Sequence, residues 1–171
     1  MKLKDAQLLI ETLLHRSWRV NGEVVNLASL GWSFGGFDKS VTRLGVCKSR
    51  YKEIGLSKTM TELRTNEEVE QTIRHEIGHA VDHVLRGYSA HDWVWKNVAR
   101  QCGYNGKSQT SVDSSVTIKT KKWVAICENH GVVGGWTRKP KCLTNRYCTK
   151  CKTDVLIVPS TDERVKNYTI K

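Results

Sequence analysis

The chain has 171 residues and a mass of 19.5 kDa, with 39% hydrophobic and 26% charged residues. That apolar share excludes a disordered tail, and the length suits one domain, alone or with a small appendage. Lys and Arg total 28 against 17 Asp and Glu, a net charge of +11, and no run approaches the ~18 consecutive apolar residues of a membrane helix.

The first twenty residues mix Asp5, Glu11 and His15 among leucines, unlike the unbroken apolar centre of a signal peptide. The expected location is therefore a reducing cytoplasm. There, six cysteines read as metal ligands or core residues rather than disulfides. The charge is uneven. From Thr117 onward there are twelve basic and four acidic residues, against sixteen and thirteen before it. A basic field concentrated on one segment favours a polyanion, and nucleic acid is the commonest one.

Residues 3–18 read as an amphipathic helix, with Ala6, Leu9, Ile10, Leu13, Leu14 and Trp18 on one face. Asn21-Gly22 breaks the pattern. Trp32 and Phe34 then alternate with small residues, and Gly35-Gly36 reads as a turn. Residues 40–48 and 52–57 read as two strands joined near Ser49-Arg50, with Val41, Leu44, Val46, Ile54 and Leu56 as their apolar members. Residues 65–87 give the clearest helix. Thr65 and Glu68 have capping-box spacing, Val69, Ile73, Ile77, Ala80, Val81 and Val84 form a stripe, and Gly87 marks the end. A shorter helix is expected over 92–102, with Trp93, Val94, Val98 and Ala99 on its apolar side. Residues 104–116 are polar and read as a linker or surface loop.

The central helix carries His75-Glu76-Ile77-Gly78-His79, an H-E-x-x-H match. Histidines four apart on a helix point the same way, one turn apart, and can grip one zinc ion. Glu76 is placed to take a proton from the attacking water as general base. A catalytic zinc needs a third protein ligand. His83 is two turns beyond His75 and rotated by about 80°, so a straight helix cannot bring it to the same ion. His91 follows Gly87, where the chain turns, and is the expected third ligand. His83 is then a supporting or surface residue.

These residues resemble the SprT-like metallopeptidases, the group of bacterial SprT proteins and eukaryotic Spartan. The resemblance rests on the N-terminal helix, Arg43-Leu44-Gly45-Val46-Cys47, Ile54-Gly55-Leu56-Ser57, the H-E-x-x-H helix, His91 with Trp95 four residues on, and a terminal zinc ribbon. Asp92 stands where the family usually has glycine; an acid there could orient the ligand or cap the next helix. Gly78 within the helix costs ~1 kcal/mol relative to alanine and allows another element to approach closely.

Cys127-Glu128-Asn129-His130 and Cys148-Thr149-Lys150-Cys151 have zinc-ribbon spacing, two knuckles closing a tetrahedral site with Cys127, His130, Cys148 and Cys151. The family's first knuckle is usually C-x-x-C, and zinc accepts histidine as well. Cys142 is a rival for one position. Cys47 and Cys102 read as core residues. Lys121, Lys122, Arg138, Lys139, Lys141 and Arg146 are interleaved with aromatics. Trp123 is expected in the small core, and Trp136, beside Gly134-Gly135 in a hairpin loop, is expected to be an exposed platform for unpaired bases.

The expected fold is α+β: a zincin-like metallopeptidase core over residues 1–116 and a basic zinc-ribbon subdomain over 117–171. The expected cofactors are two zinc ions, one catalytic and one structural, and no membrane partner is expected. The resemblance implies an endopeptidase acting on DNA-associated or DNA-crosslinked proteins, with DNA, single-stranded regions favoured, as a further partner. Two rivals stand beside this reading: a nucleic-acid-binding zinc protein with a vestigial peptidase site, and a metallohydrolase acting on a non-protein bond.

Overall fold

The computed structural model describes residues 1–106 and 118–168. The chain divides into two compact units, Met1–Gln109 and Thr110–Lys171. Of the expected linker, residues 107–116 lie outside the described residues. The architecture is mixed α+β with small sheets. Among the described residues, no helix is long and apolar enough to cross a membrane.

Helix α1 (Leu3–His15) buries Ala6, Ile10, Leu13 and Leu14. It stops short of the expected end at residue 18. Trp18 belongs instead to β1 (Ser17–Val20), which pairs antiparallel with β2 (Glu23–Asn26). The cause is Asn21-Gly22. Both take positive φ, 52° and 89°, the requirement of a tight two-residue hairpin turn. Trp18 remains buried, its indole N–H donating to the Leu13 carbonyl at 3.1 Å.

The second sheet holds β3 (Ser33–Asp38), β4 (Gly45–Lys48) and β5 (Glu53–Ser57) in the order β3-β5-β4, with β3 parallel and β4 antiparallel to β5. Gly35-Gly36 is no turn. It lies inside β3, where Gly36 takes φ 85° and the register shifts between Phe34 and Phe37. The expected strand over 40–48 begins only at Gly45. The Ser40 hydroxyl accepts from the backbone N–H groups of Thr42 and Arg43, a local turn that competes with strand pairing. β4 is therefore short, and it is an edge strand.

Helix α2 (Lys58–Leu63), unanticipated from the sequence, is capped by Ser57, whose hydroxyl accepts from Met60 N–H. Helix α3 (Asn66–Arg86) starts with the expected Thr65/Glu68 capping box and ends at Gly87, φ 77°. Val69, Ile73, Ile77, Ala80 and Val81 are its buried stripe, whereas Val84 is 36% exposed. Helix α4 (Trp93–Gln101) buries Trp95, Val98 and Ala99, and Cys102 continues that stripe. Trp93, expected on the apolar side, is 76% exposed. Residues 95, 98, 99 and 102 follow the helical repeat, and position 93 falls off it.

The second unit pairs β6 (Trp123–Cys127) with both β7 (Gly131–Trp136) and β8 (Leu156–Pro159), all antiparallel, followed by α5 (Glu163–Lys166). Its core is Val124, Ile126, Val132, Val158 and Val165. Gly134-Gly135 lies within β7 rather than in a hairpin loop, opposite Ala125 and Val124. The hairpin turn is formed by residues 128–130 instead.

Gly78 faces Ala99 across the α3–α4 contact. A Cβ there would lie 2.8 Å from the Ala99 Cβ and 2.9 Å from its Cα. Gly78→Ala gains ~1 kcal/mol of helix propensity, but overpacking against backbone costs about 1–3 kcal/mol. The expected outcome is a lower Tm, with Gly78→Val lower still, measured by thermal denaturation followed by circular dichroism.

Candidate metal centre and active site

Helix α3 sets His75 and His79 one turn apart, their Nε2 atoms 3.2 Å from each other. His91, on the turn beyond Gly87, brings its Nε2 to 3.0 Å from that of His79 and 3.1 Å from that of His75. The structure thus gathers the three expected histidines. His83 is not among them, and its ring lies edge-on to Trp32 with centroids 6.3 Å apart.

The geometry fits a shared cation. Tetrahedral zinc with Zn–N of about 2.0–2.1 Å implies N···N separations of about 3.3 Å. A neutral imidazole carries a single N–H, so three converging ring nitrogens cannot satisfy one another by hydrogen bonding. Burial holds His75 and His79 at about 4, with the neighbouring histidines adding to the effect. Both are therefore neutral near pH 7, the form that binds metal.

Four features place these rings. Ser89 Oγ lies 2.8 Å from His79 Nδ1; with Ser89 accepting that proton, the Nε2 lone pair faces the cluster. The Trp95 ring stacks on His79 at 4.7 Å and meets His75 and His91 edge-on at 4.7 Å and 4.6 Å. Tyr104 meets His75 edge-on at 5.1 Å. Arg86 grips Asp82, which is 0% exposed, through two hydrogen bonds of 2.6 Å, and reaches Asp92 at 2.9 Å and 3.2 Å. Of the two roles open to Asp92, the structure gives the cap: its carboxylate accepts from Trp95 N–H at 2.8 Å. Arg86 holds the Asp92 carboxyl below its ordinary range. Sequence reasoning missed Ser89, Arg86 and Tyr104. The four-residue spacing of Asp82 and Arg86 was a readable signal; Ser89 offered none.

Glu76 is 8% exposed. It lies under β4, where a Cβ on Gly45 would come within 2.9 Å of the Glu76 Cγ. Burial pushes its carboxyl up to about 7, opposed by the Cys47 backbone N–H and by the Arg43 charge. A cleft of about 340 Å³ joins Glu76 and the three histidines to Gly45, Cys47 and Ser89.

In the second unit, Cys127, His130, Cys148 and Cys151 bring their ligand atoms within 4.8 Å of one another. Cys127 Sγ is 3.6 Å from His130 Nδ1 and 3.5 Å from Cys151 Sγ, and Cys148 Sγ is 3.5 Å from His130 Nδ1. Three thiols and one imidazole suit a closed structural zinc site. The Thr153 hydroxyl, 2.9 Å from Cys151 Sγ, is the first cause that lowers this thiol to about 5, and it lowers Cys127 as well. Cys142 is exposed, its thiol 3.1 Å from the Thr144 carbonyl, and stands outside the cluster.

Of the basic residues, Lys122, Arg138, Lys139, Lys141 and Arg146 are exposed and Lys121 is half-buried. Trp123 and Trp136 are register partners on β6 and β7, so they share one sheet face. Both are half-buried, neither core nor free platform, and each lies beneath a cation. Lys139 Nζ is 5.4 Å from the Trp123 ring, and the Arg146 guanidinium is 5.3 Å from that of Trp136.

The model of the SprT-like family matches residues 18–121. No curated protein and no solved structure matches the chain. The family match covers more than half of the sequence, and the chain belongs to the SprT-like family, which is generally of the zinc metallopeptidase type. The four-ligand cluster lies beyond the matched span. Two outcomes are expected of the metal centres. Elemental analysis of protein purified without chelator gives two zinc ions per chain, the histidine-bound one leaving first under chelation because only three protein ligands hold it. Ser89→Ala weakens that zinc by about 10–100-fold, whereas His83→Ala leaves it unchanged, measured by competition with a chromogenic chelator.

Proposed function

We propose that this member of the SprT-like family is a zincin-like, zinc-dependent endopeptidase that acts on DNA-associated or DNA-crosslinked proteins. The observation that carries the reading is the convergence of three histidine Nε2 atoms at 3.0–3.2 Å in the cleft that also holds Glu76. His75, His79 and His91 hold the metal and leave one position open. A bound zinc supplies Lewis acidity to a peptide carbonyl oxygen and to water.

The protein's own groups do the rest. Glu76 takes the proton of the attacking water and delivers it to the departing amine. Its burial makes it a stronger base than an exposed carboxylate. The Cys47 N–H donates to that carboxylate and aims it into the cleft. Among the described residues β4 pairs only with β5, so its other edge is free to align an extended peptide beside Glu76. Pairing along such an edge requires an extended segment with unpaired backbone groups, which favours unfolded or loosely structured segments as substrate.

Cys127, His130, Cys148 and Cys151 hold the structural zinc, in keeping with the reducing cytoplasm expected from the sequence. Around it Lys121, Lys122, Arg138, Lys139, Lys141 and Arg146 carry the DNA contact through their charge, single-stranded regions favoured. Resemblance to Spartan supports this part of the reading, and the net charge of +11 agrees with it.

Glu76→Gln keeps the three histidines and removes the base. Zinc content and DNA affinity should stay near wild type while cleavage of a DNA-bound protein falls by ~100-fold or more, followed on gels with and without single-stranded DNA. Unchanged cleavage would assign the activity to another site or to a contaminant. Wild-type protein that binds DNA and cleaves nothing would favour the nucleic-acid-binding alternative. Arg138→Glu with Lys141→Glu should weaken binding to a single-stranded oligonucleotide and reduce the slope of log K against log salt by about one to two. An unchanged salt slope would remove these residues from the DNA contact.

A further inference from the structure

The histidine cluster borders a second cleft, on the α4 side, of about 590 Å³. It is lined by His75, His91, Trp95, Lys96, Arg100 and Tyr104 among others. Lys96 and Arg100 stand one turn apart on α4, both exposed, and neither makes an ion pair among the described residues. Among the described residues no carboxylate lines this cleft. In their described residues the two clefts that share His75 and His91 thus differ in charge: one holds Glu76, the other two cations.

We infer that the α4-side cleft is a substrate subsite that takes an acidic side chain, Asp or Glu, close to the scissile peptide bond. The inference rests on the peptidase reading and specifies its substrate. Two of the three metal-binding histidines form part of the wall, so a group seated here is no more than a few residues from the reacting carbonyl. Lys96 and Arg100 offer donors to one carboxylate, and the Arg fork can bind it in bidentate fashion. Trp95 and Tyr104 give the stem of the side chain an apolar wall. A nucleic-acid backbone is the other source of anionic groups, but it runs along a row of cations on an open surface. Here there are two cations, in a concavity walled by aromatic rings.

The test uses internally quenched peptides that differ only in carrying Glu, Gln, Lys or Leu at each of three positions on either side of the cleaved bond. Glu at one position should raise kcat/KM about two- to fivefold over Gln, with Lys lowest. Lys96→Glu with Arg100→Glu should reverse that order, and Lys96→Gln with Arg100→Gln should flatten it. Zinc content and Tm are checked in each variant; since both side chains are exposed, neither should change. Fluorescence anisotropy of the same sequences carrying the fluorophore without its quencher, on Glu76→Gln protein, should give the same order of affinity without turnover.

Cleavage that never distinguishes Glu from Lys, or that favours Leu, overturns the subsite and leaves the peptidase reading standing. Weakened oligonucleotide binding in the charge-reversed variant, with peptide preference unaltered, assigns the cations to nucleic acid and also overturns it. If no peptide is cleaved, the binding order on Glu76→Gln protein decides the subsite, and cleavage of a DNA-bound protein decides the peptidase reading. Equal binding of Glu and Lys peptides rejects it.

Discussion

Arg86 closes the histidine cluster. It joins the fully buried Asp82, one turn back on α3, to Asp92 at the head of α4. A buried carboxylate left without its partner costs about 3–5 kcal/mol, so Asp82 holds the guanidinium firmly in place. Asp92 then fixes the start of α4 through its bond to Trp95 N–H. His91 immediately precedes Asp92, so this bridge fixes the point from which it projects. Two of the three histidines owe their alignment to a rigid helix; the third owes its own to this bridge.

The same economy of space shapes the surroundings of the cluster. Gly78 lets α4 come against α3 with Ala99 in contact, and that approach seats Trp95 against all three imidazoles. Gly45 does for β4 what Gly78 does for α4. Without a Cβ it can cover Glu76, whose burial raises its basicity. Protons are thereby discouraged on the histidines and favoured on the glutamate by one cause, desolvation, acting on groups of opposite charge type.

The second unit works under a different constraint. Among its described residues the core is a small aliphatic cluster of Val124, Ile126, Val132, Val158 and Val165 with Ile118 and Tyr168 at the margin, and a core this small gives limited stability by burial alone. Its two knuckles join the turn between β6 and β7 to the segment preceding β8, and a metal held there would supply folding free energy directly. The cross-strand Trp123–Trp136 pair leaves room above each ring for a cation.

Periodicity and spacing were enough to read α3, its capping box and its glycine end, because these depend on contacts within a few residues. Spacing likewise singled out two groups that the fold brings together, His75, His79 and His91, and Cys127, His130, Cys148 and Cys151, and helix pitch set His83 apart from the first. The Asn21-Gly22 hairpin was also legible, since that dipeptide satisfies the turn by itself, but the apolar pattern of α1 overshadowed it. What the sequence could not show are features made by residues distant along the chain. Gly35-Gly36 and Gly134-Gly135 look like turns until a neighbouring strand pairs with them. Trp93 and Trp95 differ in burial only because α3 covers one face of α4. Ser89 acquires a role only when the turn folds it against His79, and Lys96 and Arg100 become a cationic wall only when α4 is laid beside the histidines. Local sequence determined which side chains could do chemistry; tertiary packing decided which of them meet, because desolvation and ligand geometry exist only between elements that touch.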